Sequence, residues 1–303
     1  MLPTSLALFG TGLLGHGVAR RFLASGLSVT VYNRTRAKAE DLGMLGARLS
    51  SSAQEAVEAS ELLILCLSDA AAIRQTVFSH SCLSRLSKRI LCQMGTIGPE
   101  ESQEIARLAS AQGARYLEAP LLGNGKDAEE GRAQVMIGAD PKDYEPWQEL
   151  LGLLGRCLWI GPVGKAAALK LALNQLIAAE TAAFALSLGF VRRSGVPIES
   201  FLQILRESSL YCPTFDKKLA RMWQRNFGQP SFSVRLLLKD IDLFLGNAER
   251  LGLRSDALEG AREIVREAME SGRADLDYSA LIDVIDPLSS LGTKPEDPVL
   301  SRA

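Results

Sequence analysis

Lys170 and Asn174 stand four residues apart inside a stretch dominated by Ala and Leu, GPVGKAAALKLALNQL. Pro162 and the flanking glycines mark a helix start, and Ala and Leu are strong helix formers. Residues four apart share a helix face, with Cβ atoms about 5–6 Å apart. A cation and an amide therefore project together from an apolar helix. An unpaired ammonium inside a protein costs several kcal/mol, so it must face something. In an apolar cleft its pKa moves towards neutrality, which suits a proton donor or acceptor, and a neutral Asn can hydrogen-bond a substrate hydroxyl without quenching the charge. The competing reading is a lysine that lies along apolar surface and carries its charge out to solvent.

A second constellation lies near the N-terminus. LALFGTGLLGHG reads as a strand, a glycine loop (Gly10, Thr11, Gly12, Leu13, Leu14, Gly15) and the start of an amphipathic helix. In such a loop the first glycine permits the turn, the second lets backbone approach a pyrophosphate, and the third packs helix on strand. The free N–H groups of the helix start then face the phosphates. The next strand ends in Asn33-Arg34-Thr35, where an NAD site carries an acidic residue for the ribose diol. Arg34 can stack on adenine and pair with a 2′-phosphate, and no carboxylate repels that phosphate. NADP is the expected cofactor.

The elements that must hold these residues fall into two halves. Residues 5–9, 28–32, 62–67, 89–94, 115–119, 134–137 and 157–160 read as strands alternating with helical stretches. That pattern gives a largely parallel, doubly wound Rossmann-like sheet. Beyond Gly164 no strand-like run recurs. The expected fold is α/β followed by an all-α domain, joined by a long interdomain helix. The boundaries are a cofactor domain over residues 1–163, the helix over 164–193, a helical substrate and dimerisation domain over 194–286, and a frayed tail over 287–303.

Bulk properties exclude other classes. With 34 basic and 35 acidic residues, there is no global field for nucleic acid or anionic lipid. Five scattered cysteines without CxxC spacing read as free thiols, pointing to a cytoplasmic protein. With only His16 and His80 available, no metal site is expected. Residues 171–191 lack Lys and Arg but carry Asn174, Gln175, Glu180 and Thr181, which suits a helix wrapped by protein better than one in lipid.

Taken together, the motifs resemble the β-hydroxyacid dehydrogenase family, in order from about residue 5 to 285. The glycine loop with NRT is similar to its cofactor motif. EAPLLGNGKDAEEG (residues 118–131) resembles its substrate loop, and GPVGKAAALKLALN its Lys-x-x-x-Asn motif. LLLKDIDL (residues 236–243) resembles its Lys-Asp segment. The resemblance implies hydride transfer between NADP and a short semialdehyde or oxo acid and its hydroxyacid, with Lys170 as general acid and base beside Asn174. It places Leu67, Thr96 and Lys239 at the cofactor, and Leu122, Gly123, Asn124, Phe232 and Asp240 at the substrate, with Lys170 and Asn174. For Phe232 an ordinary core role competes.

Two positions depart from the pattern: Gly95 replaces a serine before Thr96, and Leu122 replaces the serine that helps hold a substrate carboxylate. The Gly123 N–H, Asn124 and Lys126 are the nearby groups left to hold it; the alternative is a substrate less acidic or more apolar than is typical of the family. A 3-hydroxyisobutyrate dehydrogenase is the alternative enzyme. Lys170 argues against an imine reductase and against a non-enzymatic NADP-binding scaffold. A homodimer or homotetramer is expected.

Overall fold

The computed structural model describes residues 5–287. The tail expected over residues 287–303 lies outside them, apart from Pro287. The chain divides into two compact units, residues 1–171 and 172–303. The division falls inside the long helix, Lys165–Arg193, so its first turns belong with the sheet and the rest with the helices.

The first unit is a nine-stranded sheet. Its strands are β1 (Ser5–Phe9), β2 (Ser28–Tyr32), β3 (Arg48–Leu49), β4 (Leu62–Leu65), β5 (Ile90–Gln93), β6 (Arg115–Glu118), β7 (Leu121–Leu122), β8 (Ala133–Gly138) and β9 (Gly155–Gly161). The order is β3-β2-β1-β4-β5-β6-β8-β7, with β9 paired to β8. Successive strand residues point to opposite faces. In β1, Leu6 and Leu8 join one buried cluster with Val18 and Phe22 of the first helix (Leu13–Ala24). Ala7 and Phe9 join another with Ile73 and Ile105. Both faces are thus covered, which is why β4, LLIL, is apolar throughout.

The seven anticipated strands are present with small boundary changes. Two-residue β3 and β7 carry too little pattern to be read from sequence. The sheet is not parallel throughout, because β8 runs antiparallel to β6 and β7. The connection from β7 to β8, residues 123–132, holds only the five-residue helix Gly125–Glu129 and falls short of the dozen or more residues that a parallel crossover takes.

In the second unit Phe184, Leu188, Leu202, Met222, Leu237, Ile241 and Val265 form one core. The long helix is apolar and long enough to cross a membrane by length and composition alone. Here Ala178, Phe184, Ala185 and Leu188 are buried in that protein core. The unit also holds a buried cation that the sequence did not flag: Lys218 Nζ donates to both Asp277 oxygens at 2.9 Å and to Ser231 Oγ at 2.9 Å.

Candidate functional site

In the glycine loop, Gly10 has φ +94°, and a Cβ there would press on the Cys66 carbonyl. A Cβ on Gly15 would collide with the Gly10 carbonyl. Both positions therefore need glycine for close backbone approach. Gly12 is different. It is exposed, with nothing within 4 Å of where its Cβ would stand, so a ligand can lie against it. Among the described residues no side chain caps the helix start at Gly12, and its first turn holds no acid. Leu13 and Leu14 supply the N–H groups of that turn. Thr11 Oγ1 is buried without a partner. These features fit a dinucleotide pyrophosphate.

Asn33 is committed within the protein. Its Oδ1 accepts the Thr11 N–H at 3.1 Å and its Nδ2 donates to the Thr35 carbonyl at 2.8 Å. It therefore ties β2 to the glycine loop. Arg34 and Thr35 are exposed beside it. His16 was passed over in the sequence. Its ring nitrogens lie 2.9 Å from the Thr11 carbonyl and 2.9 Å from Asp41 Oδ1, bracing the same loop. The hydrogen bond to His16 is the main cause holding the Asp41 carboxyl below its ordinary value.

Lys170 lies in a small cavity of the first unit with Gln93, Gly95, Thr96, Glu118 and Ala167. It is nine-tenths buried. Gly95, where a serine would be usual, has its reason here: a Cβ would strike the Leu67 carbonyl. Gln93 holds the same turn, donating to the Gly95 carbonyl at 3.1 Å.

Asn174 follows one turn later on the same helix and is 3 % exposed. Within the second unit its Nδ2 donates to Asp240 Oδ2 at 2.6 Å. Lys239 Nζ lies 2.8 Å from the other Asp240 oxygen. A carboxylate only accepts, so it forces the amide nitrogen towards itself and turns Asn174 Oδ1 away. That oxygen is buried without a partner among the described residues. Asp240, expected at the substrate, holds Asn174 through Oδ2 and is ion-paired with Lys239 through Oδ1, an oxygen that makes no hydrogen bond among the described residues.

Leu122 is half-buried in β7, paired with Gln134 of β8. Asn124 caps the short helix Gly125–Glu129: its Oδ1 accepts the Asp127 N–H at 3.1 Å, while Asp127 accepts the Asn124 N–H. Its side-chain oxygen is thus occupied by the helix start, and Lys126 is exposed, 3.9 Å from Glu130. Gly123, at φ +132°, keeps its backbone on the loop. Phe232 packs edge-on to Tyr278, centroids 6.0 Å apart, as part of the helical core. Its carbonyl accepts the Tyr278 N–H at 3.0 Å.

Glu118 was quoted in sequence only as the head of a loop. It is 1 % exposed, and burial pushes its carboxyl up despite hydrogen bonds that oppose the shift. Among the described residues no cluster of His, Cys, Asp and Glu could hold a metal, and all five cysteines are free thiols.

Comparison with known proteins agrees with this layout. Residues 5–161 match the model of the NAD-binding domain of 6-phosphogluconate dehydrogenase. Residues 164–285 match that of the NAD-binding region of NADP-dependent 3-hydroxyisobutyrate dehydrogenase. The chain is similar to glyoxylate/succinic semialdehyde reductase 1 of Arabidopsis thaliana, 28% identical over 283 residues, covering 92% of this chain and 98% of the relative. A crystal structure of 3-hydroxyisobutyrate dehydrogenase from Salmonella typhimurium shares the fold, with TM-score 0.84 and 22% identity, covering 93% of this chain and 100% of that one. So does Psf3 in complex with NADP+ and 2-OPP, with TM-score 0.82 and 23% identity over 92% of this chain and 99% of that one. The chain belongs to the β-hydroxyacid dehydrogenase family of oxidoreductases.

Proposed function

We propose that this protein is an NADP-dependent reductase of short semialdehydes or oxo acids, interconverting them with their hydroxyacids, and that Lys170 moves the proton. The observation that carries the reading is the buried Lys170 lining a cavity with Thr96, one helical turn before Asn174. The nicotinamide, when bound, supplies or takes up the hydride. A carbonyl carbon that receives a hydride leaves an oxygen that needs a proton, and the Lys170 ammonium donates it. In the other direction the neutral amine accepts the hydroxyl proton. Asn174, with its amide nitrogen engaged by Asp240, offers its carbonyl oxygen to the substrate hydroxyl. The Asn124 cap uses its Oδ1 and leaves the Nδ2 amide as a donor, so that amide and the Gly123 N–H are the groups proposed to receive a substrate carboxylate beside Leu122. Lys239, Leu67 and Phe232 complete the proposed cofactor and substrate contacts.

NADP is favoured over NAD by exposed Arg34 at the end of β2 and the absence of a carboxylate there. The semialdehyde class is supported by the Arabidopsis relative. A 3-hydroxyisobutyrate dehydrogenase is the second reading, favoured by the family model over residues 164–285. The protein is further inferred to be cytoplasmic, as its free thiols suit a reducing compartment. It is inferred to form homodimers or homotetramers through the exposed apolar face of the long helix, with Leu176, Leu186 and Phe190.

The test is a panel of C2–C5 semialdehydes and hydroxyacids assayed with NADPH and NADH, for the wild type and Lys170→Ala. The variant should lose roughly 10²–10⁴-fold in kcat while binding NADPH as before by fluorescence. A kcat within a few-fold of wild type would assign proton transfer to another group or to water.

A further inference from the structure

Glu118 stands at the end of β6, and its carboxylate reaches the start of the helix that carries Lys170. Oε1 accepts the Gly164 N–H at 2.9 Å, and Oε2 accepts those of Ala166 at 3.1 Å and Ala167 at 3.4 Å. These are donors that a helix start leaves without partners, at the positive end of its dipole. The Ser102 hydroxyl lines the same cavity and lies 2.7 Å from the Tyr116 hydroxyl. Gly138 of β8 backs the group so closely that a Cβ there would collide with Oε2. The carboxylate is therefore held on every side.

Burying a carboxylate is expensive, and an apolar side chain would suffice merely to seat a helix on a sheet. What an apolar contact would not do is fix rotation about the helix axis. The buried Ala166 and Ala167 present a smooth surface that permits small rotations. Three directional hydrogen bonds do not. Lys170 follows Ala166 by four residues, on the same face, and lines the same cavity as Glu118 and Ala167.

We propose that Glu118 is a positioning residue for the reaction: it clamps the first turn of the long helix and thereby sets where the Lys170 Nζ stands in the cavity. This rests on the reading of Lys170 as the proton-transfer group. A displacement of about 1 Å at a reacting group can cost roughly 10²-fold. The clamp also lines the Lys170 cavity with a carboxylate, whose negative charge favours the protonated ammonium.

The test is steady-state kinetics of Glu118→Gln and Glu118→Asp against wild type and Lys170→Ala, with NADPH affinity by fluorescence, melting temperature, and the pH profile of kcat/KM. Glu118→Gln keeps the volume but replaces one accepting oxygen with a donor facing N–H groups. It should lower kcat about 10- to 100-fold with NADPH affinity within twofold of wild type. The limb of the profile lost in Lys170→Ala should move to lower pH. Glu118→Asp keeps the charge and should recover most of kcat and the wild-type profile. Ser102→Ala, which removes a hydroxyl from the same cavity, should give a smaller change of the same kind if Glu118→Gln does not fold. A Glu118→Gln or Ser102→Ala enzyme with a lower melting temperature but unchanged kcat and pH profile would overturn the proposal, leaving Glu118 as a seat for the helix. Full activity in Lys170→Ala would instead overturn the reading of Lys170 itself.

Discussion

On the proposed preference for NADP, Arg34 is the residue on which cofactor choice turns. Its neighbour Asn33 is held by Thr11 and Thr35 with one bond at each amide atom, and it keeps a neutral donor and acceptor beside the Arg34 guanidinium. Selectivity then falls to the charged, exposed guanidinium. Loss of a charged hydrogen bond costs about 1.5–3 kcal/mol, or roughly 10- to 150-fold in binding. Arg34→Ala should weaken NADPH by that amount and NADH by little, measured by fluorescence titration. Equal losses for both would show that Arg34 does not touch the 2′-phosphate. The same economy of polar atoms holds at Asp240. Its carboxylate fixes which end of Asn174 is presented, a consequence of acceptor chemistry that residue types alone did not reveal.

At the scale of the element, the long helix is anchored at both ends by carboxylates. Glu118 holds its start in the first unit. In the second unit Asp286 holds its last turn: Arg192 makes a bidentate contact at 2.8 and 2.7 Å, and Arg193 and Arg225 add further bonds. Burial pushes the Asp286 carboxyl up, but the hydrogen bonds and charges of Arg192 and Arg193 outweigh it, and the pKa falls below the ordinary 3.8. A carboxylate with a depressed pKa stabilises the fold above its unfolded value, and that stabilisation is lost as pH falls through the folded value. Asp286→Asn should therefore cost about 3 kcal/mol at neutral pH. The gap in melting temperature should stay constant down to about pH 5 and narrow below it. A gap that does not change on acidification would mean that the Asp286 charge contributes nothing and the loss is one of packing.

For the whole molecule, the proposed assembly rests on the exposed apolar face of the long helix. Leu186 is 62% exposed and Phe190 is 71% exposed, and with Ala172, Leu176 and Ala183 they follow the three- and four-residue steps of one face. Apolar stripes of this kind are rare on monomers. The double variant Leu186→Asp/Phe190→Asp should elute as a monomer in size exclusion with light scattering, while its far-UV circular dichroism stays native. A wild type that is already monomeric at micromolar concentration would sink the assembly reading.

The sequence by itself determined the alternation of strands and helices, because apolar periodicity is a local property, and it placed Gly10, Gly12 and Gly15, because a tight turn against a pyrophosphate excludes other residues. It also marked Lys170 and Asn174, since their spacing puts them on one helix face whatever the tertiary arrangement. The antiparallel turn of β8, the use of Asn33 as an internal strut, the role of Asp240, the need for Gly95 and the burial of Glu118 and Lys218 were decided only in three dimensions. The polar pairings among them, Asn33 with Thr11, Glu118 with Gly164, Asn174 with Asp240 and Lys218 with Ser231, span 13 to 66 residues of chain. A hydrogen bond between distant segments leaves no periodic trace in the sequence, whereas the fold that brings them together is what makes their burial tolerable.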